Sequence, residues 1–174
     1  MTVLVAIDPG YTKRGKGCAV AVFCDGALIH LHFARPETIS ANELCVCAGD
    51  VVWECPQVDA RSNASVPAIV QLAAVGGMLA GLYAGACGCR AVAVAPSAWK
   101  GSAPKPIAHG RDWERLREAE RDLLGGDGTI ARIDAAKRAG ALDRWGKPGA
   151  TYYVTWQGHN LLDAVGLGMW RLGR

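Results

Sequence analysis

Three carboxylates stand in surroundings that do not invite them. Asp8 closes the apolar run VLVAID, Glu54 closes DVVWE, and Asp163 interrupts GHNLLDAVGLGMW at 158–170, a stretch otherwise mostly apolar. A carboxylate taken out of water is costly unless it is paired or bound to a cation. Several brought together repel one another unless a cation lies between them. Hard cations such as magnesium take oxygen ligands. If these three acids converge, the chemistry on offer is a divalent-metal site. Each acid alone also has a plainer reading. Asp8-Pro9-Gly10 is a favoured turn sequence, Glu54 could end its strand in solvent, and Asp163 could face water. Helical spacing of about 100° per residue works against the last of these. It sets Asp163 on one flank with Gly166, Leu167 and Trp170, an apolar side that belongs inward.

Cations accompany the acids unevenly. Lys13, Arg14 and Lys16 follow the first apolar run, and Lys100 and Lys105 lie in a Gly/Pro/Ser-rich stretch. Lys100 and Lys105 are candidates for phosphate contact and for stabilising charge in a transition state; the plainer reading is a solvated loop. Arg111, Arg115, Arg117 and Arg121 are interleaved with Asp112, Glu114, Glu118, Glu120 and Asp122, the pattern of a solvated helix with i,i+4 pairs. The net charge of +3 permits nucleic-acid binding without demanding it.

The elements that must position these groups follow from the patterning. Residues 3–8 read as a strand buried on both faces, and Pro9-Gly10 turns the chain after it. GCAVAVFCDGALIHLHF reads as a hairpin turning at Asp25-Gly26. In its second strand Ile29, Leu31 and Phe33 alternate with His30 and His32, which share the more polar face; an HxH metal pair would lack a third ligand nearby. A short helix is expected at 37–48, a buried strand at DVVWE, and an Ala/Gly-rich helix running to about residue 86. Then follow a strand at 90–96, a loop over 97–110, a charged helix over 111–124, a break at GGDGT, a short helix over 129–139, a strand at 150–156 and the final helix. The order implies a single α/β domain over 1–174, a mixed sheet with helices on its faces. If strands 3–8 and 50–54 are parallel neighbours, Asp8 and Glu54 share the C-terminal edge of the sheet, where such sheets carry their sites.

At 174 residues and 51% hydrophobic, the chain can bury a proper core. MTVLVAIDPG has no basic n-region and too short an apolar run for a secretory signal. The seven cysteines, an odd number, then read as free thiols in a reducing cytoplasm. Cys45-x-Cys47 and Cys87-x-Cys89 could be drawn as a four-sulfur zinc site, but CxC is not the common structural spacing. Residues 66–89 carry no charge and are long enough to span a bilayer. They are mostly Ala and Gly and include Gln71; with Ser65 as cap and Pro67 in the first turn, they read as a helix packed in a core or a dimer interface rather than a membrane span.

The strand-ending AIDPG, the strand-ending VVWE and the helical LLDAVGLG resemble, in that order, the metal-binding motifs of the RuvC-type Holliday junction resolvases of the RNase H-like nuclease superfamily. VAPSAWKGSAPK resembles the strand, loop and lysines before the family's third motif. The resemblance runs from residue 3 to about residue 170. It implies an RNase H-like fold: a mixed central sheet of about five strands with helices on both faces. It implies an endodeoxyribonuclease that resolves four-way junctions by paired nicks and leaves 5′-phosphate ends. Two magnesium ions per site, typically about 4 Å apart, would clamp the phosphodiester. Motif by motif, Asp8, Glu54 and Asp163 take three of four ligand places. The fourth lies about one turn before the last acid, where the family places an acid or a histidine. This chain has Asn160 at that spacing and His159 one residue further back. His159 shares the Asp163 side at i,i+4 and is the candidate, with Asn160 its rival. A histidine suits manganese better than magnesium, so Mn2+ could substitute. His159 could instead move a proton near neutral pH.

By the same resemblance Lys105 joins the catalytic set, and Lys100 and Lys105 contact phosphate. CPQVDARSNAS occupies the position where relatives touch the junction, which makes Arg61 and Asn63 candidate backbone contacts beside Lys13 and Arg14. Relatives carry an aromatic wedge there and this chain has none close behind Glu54. The segment 37–48 is short where cellular relatives have a longer helix, which points toward a divergent, phage-type member acting in the cytoplasm of a bacterial or phage-infected cell. A junction with two-fold symmetry that needs two nicks suits a C2 homodimer, and the Gly/Ala helix is a candidate surface for it. Three alternatives stand beside this reading. IDPGYTKRGKGCAVAV also resembles the opening of YqgF-type RNA-processing nucleases, which lack a matching strand-ending glutamate. A non-catalytic nucleic-acid-binding module could use the same scaffold. An actin-like ATP-binding domain would need about twice this length and further phosphate loops.

Overall fold

Alternation along two strands decides how the molecule is layered. The computed structural model describes residues 2–10, 17–40, 49–57, 65–101, 103–138 and 158–174. In β1 (Val3–Asp8), Val3, Val5 and Ile7 turn to one face of the sheet and Leu4 and Ala6 to the other. In β4 (Asp50–Glu54), Val51 and Val52 divide the same way. Helices cover both faces, so both sets of side chains are apolar and β1 is buried along its whole length.

The sheet has five strands in the order β3-β2-β1-β4-β5, completed by β2 (Cys18–Cys24), β3 (Ala27–Ala34) and β5 (Arg90–Val94). β1–β2 and β2–β3 are antiparallel, β1–β4 and β4–β5 parallel. This is the mixed five-stranded sheet with helices on both faces that the sequence implied. The hairpin turns at Asp25 (φ 47°) and Gly26 (φ 79°), two left-handed residues whose twist matches that of the strands. The expected alternation of Ile29 with Leu31 and Phe33 is corrected. The register slips between Val22 and Phe23, so Leu28, Leu31 and Phe33 meet the core while Ile29 is 51% exposed.

One face carries α1 (Val66–Cys87), whose Leu79, Ala80, Tyr83 and Ala84 pack on Val3, Val5, Ile7 and Val51. Ser65 sits at its N-cap position but its side chain makes no capping bond, and Gly88 (φ 65°) ends it. By length and composition α1 is apolar enough to cross a membrane. It lays one side on the sheet and leaves Val66, Val70, Met78 and Leu82 exposed.

The other face carries α2 (Pro96–Trp99), α3 (Lys105–Arg115), α4 (Glu118–Leu123), α5 (Asp127–Arg138) and α6 (Gly158–Arg171). The loop expected over 97–110 is therefore corrected. Its prolines act as helix starters, since the first turn has no partner for the N–H that proline lacks. The helix expected over 111–124 is two helices, and it is not simply a solvated face: Trp113, Leu116 and Glu120 are buried. Glu120 accepts the backbone N–H groups of Leu28 and Arg117, each at 2.8 Å, and N–H groups from the two terminal guanidinium nitrogens of Arg174, each at 3.0 Å. Residues 37–40 are not helical; Thr38 and Ile39 donate to the Arg35 carbonyl in a turn. The rest of that expected helix, the strand at 150–156, Cys45 and Cys47 lie outside the described residues. Cys18, Cys24, Cys55, Cys87 and Cys89 are free thiols.

Candidate active site

Parity carries the two strand-ending acids to one place. Asp8 shares the side of Leu4 and Ala6, and Glu54 the side of Val52, both facing α6. Ile7 pairs with Trp53 in the parallel ladder, so Asp8 and Glu54 leave neighbouring strands side by side at their C-terminal ends. α6 lies across that face, and Asp163 reaches the same edge from its second turn. None of the three is open to solvent: Asp8 is 5%, Glu54 9% and Asp163 2% exposed.

The protein's own cations meet them there. Lys100 Nζ lies 2.8 Å from Glu54 Oε2 and 3.1 Å from Asp163 Oδ1. Lys105 Nζ, from the start of α3, lies 2.7 Å from Asp163 Oδ2. Neither lysine is the solvated loop group of the plainer reading. Trp99 Nε1 donates to Glu54 Oε2 at 3.0 Å. Buried His109, from α3, has its Nε2 3.0 Å from Asp163 Oδ1.

These contacts set the charge states. Burial by itself would raise the Asp163 carboxyl, but Lys105, Lys100 and His109 outweigh it and hold Asp163 well below the carboxylate range. Asp8 goes the other way. Burial first, then the charges of Asp163 and Glu54, push it well above that range against the pull of Lys100 and Lys105. Burial would discharge Lys100, but Asp163, Asp8 and Glu54 together raise its pKa instead. Burial lowers the His109 pKa more than Asp163 restores it. Near neutral pH the imidazole is then neutral and its Nε2–H donates to Asp163.

Glycines let the elements come this close. A Cβ on Gly76 of α1 would stand 2.8 Å from Pro9 Cγ, in the turn just after Asp8. A Cβ on Gly166 would stand 2.5 Å from Asp112 Oδ2 and 2.8 Å from the Trp99 ring, and one on Gly168 would collide with Phe23. Thus α6 is seated against β2 on one side and α2 and α3 on another. Its expected inward flank is corrected at one position: Asp163, Gly166 and Leu167 are buried, but Trp170 is 42% exposed.

His159 and Asn160 occupy the first turn of α6, both half-buried. The Asn160 amide nitrogen lies 3.7 Å from where a Cβ on Gly10 would be, which turns it toward the end of β1. Lys13, Arg14, Arg61 and Asn63 lie outside the described residues. His30 and His32 stack with ring centroids 4.8 Å apart, and His32 Nε2 is 3.1 Å from the Tyr83 hydroxyl. Trp99 and His109 were missed by the sequence reading. Once the helix starts at Lys105, His109 is its i,i+4 neighbour on the same side; reading 97–110 as a loop hid that relation.

Among the described residues, no three His, Cys, Asp or Glu side chains are grouped to hold an ion as they stand. The Lys100 ammonium occupies the space between Glu54 and Asp163. The donor set still fits a hard divalent cation. It is all carboxylate oxygen, it is buried, and the charges of Asp163 and Glu54 both bear on Asp8. Asp8, Glu54 and Asp163 are the residues that could hold it.

No protein-family model matches the chain, and no curated protein does. Solved structures similar along almost its full length include two of RuvC. The Thermus thermophilus RuvC structure is 18% identical, with 99% of this chain and 97% of that chain covered and a TM-score of 0.43. T. thermophilus RuvC in complex with Holliday junction substrate is 15% identical, with the same coverage and a TM-score of 0.39.

Proposed function

We propose that this protein is a metal-dependent, structure-selective DNA endonuclease that opens four-way junctions by paired nicks. The observation that carries the reading is the convergence of Asp8, Glu54 and Asp163 from two strand ends and one helix, with Lys100 and Lys105 upon them. The ordered AIDPG, VVWE and LLDAVGLG motifs support it.

In this reading Asp8, Glu54 and Asp163 hold Mg2+, two ions per site, with Mn2+ as substitute. His159, in the first turn of α6, would take the fourth ligand place, with Asn160 beside it as the rival, or would instead move a proton. A divalent cation supplies charge to a scissile phosphate and acidifies water. The chain supplies the rest. His109 holds the Asp163 carboxylate in one orientation, and Trp99 does the same for Glu54. Lys100 and Lys105 offer ammonium groups to phosphate oxygens at the edge of the site. Lys13, Arg14, Arg61 and Asn63 would contact the backbone of branched DNA. The exposed Val66, Val70, Met78 and Leu82 of α1 offer an apolar surface for a homodimer whose two sites face the two nicks. One nuclease domain over 1–174, acting in the cytoplasm with no membrane partner, completes the reading.

The test is incubation with a four-way junction, Y-shaped DNA, plain duplex, RNA–DNA hybrid and structured RNA, with Mg2+ or Mn2+, beside Asp8→Asn. We expect the junction to be nicked in pairs by the parent and not by Asp8→Asn. Cleavage that survives Asp8→Asn would sink the site assignment. Cleavage of structured RNA but not of the junction would replace the function with RNA processing.

A further inference from the structure

A groove of about 270 Å³ opens next to the acid cluster, between α2, α3 and α6. Trp99, Lys100, Arg111, Arg115, Gly166 and Trp170 are among its lining residues. Two of these, Trp99 and Lys100, are the residues bonded to Glu54, so the groove and the acids share a wall. The Trp99 ring is fixed three ways: Nε1 on Glu54, Lys100 Nζ 4.6 Å from the ring centroid, and no side chain on Gly166 to push it out. One side of Trp99 is therefore taken. Trp170, one turn beyond Gly166 on α6, is 42% exposed, an unusual place for the largest apolar side chain. Arg111 is exposed at the same groove. Arg115 is 55% exposed and only loosely paired, 4.0 Å from Asp112, whose carboxylate it offsets.

An aromatic face beside two accessible guanidinium groups matches the two halves of a nucleotide. Every base has a π-face that stacks on an aromatic ring whatever its sequence. Arginines take phosphate oxygens in bidentate geometry. A paired base cannot enter a recess, because both its faces are stacked inside the duplex; an unpaired one can.

We infer that the groove takes one unpaired nucleotide of the nucleic-acid substrate, its base on Trp170 with Trp99 as the wall and its phosphate on Arg111 and Arg115. This rests on the nuclease reading for the choice of substrate and deepens it. Strands cross or splay at a branch point, and the groove would hold a displaced nucleotide beside the acids. Selectivity for branched over plain duplex DNA would then come from this groove, in a chain without an aromatic behind Glu54.

The test is binding of an end-labelled short thymidine oligonucleotide, alone and as a duplex, followed by anisotropy in EDTA so that nothing is cut. The proteins are the parent, Trp170→Ala, Trp170→Phe and the pair Arg111→Gln/Arg115→Gln. Because Trp170 and both arginines are exposed, the variants should fold, and thermal unfolding checks it. We expect the single strand to bind more tightly than the duplex. Trp170→Ala should weaken it by about 5- to 100-fold, and Trp170→Phe should restore most of the loss. The arginine pair should weaken binding and reduce its salt dependence by about one phosphate contact. Equal binding by Trp170→Ala and the parent, or by duplex and single strand, overturns the proposal. The two readings fail separately. If Trp170 governs binding but the parent cuts nothing, the groove stands and the nuclease falls. If the parent cuts junctions and Trp170→Ala binds unchanged, the nuclease stands and the groove falls.

Discussion

His109 Nε2 lies 3.0 Å from Asp163 Oδ1, with both side chains closed to solvent. A neutral imidazole is thus spent on holding one carboxylate. A hydrogen bond to a charged buried group is worth about 1.5–3 kcal/mol. We expect His109→Ala to lose stability in that range in urea unfolding, and His109→Gln, which keeps a donor, to lose less. Metal affinity, read by calorimetry, should fall about 10- to 100-fold in His109→Ala. The pH sign follows from the lowered His109 pKa. The contribution is fully present above 6.5 and is lost as pH falls below it, because the unfolded chain takes up a proton first. An unchanged pH–stability curve between His109→Gln and the parent would count against this assignment.

Lys100 stands between Glu54 and Asp163 as an internal cation. Breaking a buried pair by removing one partner costs about 3–5 kcal/mol. We expect Lys100→Met to melt well below the parent in EDTA, with the repelling carboxylates left behind. Added Mg2+ should raise the melting temperature of Lys100→Met more than that of the parent. Equal shifts in the two proteins would mean that the ion and the lysine do not share a place.

Glu120 is held down to about 2. Burial works to raise it, but Arg174 and the N–H groups of Arg117 and Leu28 outweigh burial. Its stabilisation is therefore present above 4.5 and is lost as pH falls toward about 2. Thermal melts of Glu120→Gln should show a lower melting temperature at pH 7 and a flatter fall through that acid window.

Asp112 has the opposite sign. Burial first, then the Asp163 charge, push it up to about 6 despite Arg115. Its favourable contribution is complete below 3.8 and is lost as pH rises through about 6. We expect Asp112→Asn to match the parent at pH 3.5 and to be more stable at pH 7.5, by on the order of 2 kcal/mol in denaturant titrations.

Gly168 leaves room for the Phe23 ring under α6. Gly168→Ala should destabilise by about 1–3 kcal/mol, the usual cost of overpacking. Adding Phe23→Leu should recover part of it. Additive losses in the double mutant would show that the two sites are not in contact.

The three acids were legible in the sequence because each breaks a local rule. Asp8 and Glu54 end runs that period and composition mark as buried strands, and Asp163 sits on the apolar side of a helix. The hairpin at Asp25-Gly26 was legible for the same reason: its residue types suit only a few backbone shapes. Where a local signal had two meanings, the reading slipped. Pro104 and Pro106 look like loop residues but open a helix, and His109 was lost with it. A one-residue register slip in β3 undid the alternation of Ile29.

Types, order and strand ends are properties of the chain, and by themselves they determined that three acids would lie near buried elements. What neutralises those acids was decided only in three dimensions. Lys100 is 46 residues from Glu54 and 63 from Asp163 along the chain, and no strand or helix periodicity says that it would pair with them. They meet because β1, β4 and β5 run parallel, which puts the segment after β5 at the edge that Asp8 and Glu54 share. The exposure of Trp170 is a tertiary fact too. Helical spacing places it on the flank of Asp163, but α2 and α3 stop short of covering that flank, and the groove is the space they leave.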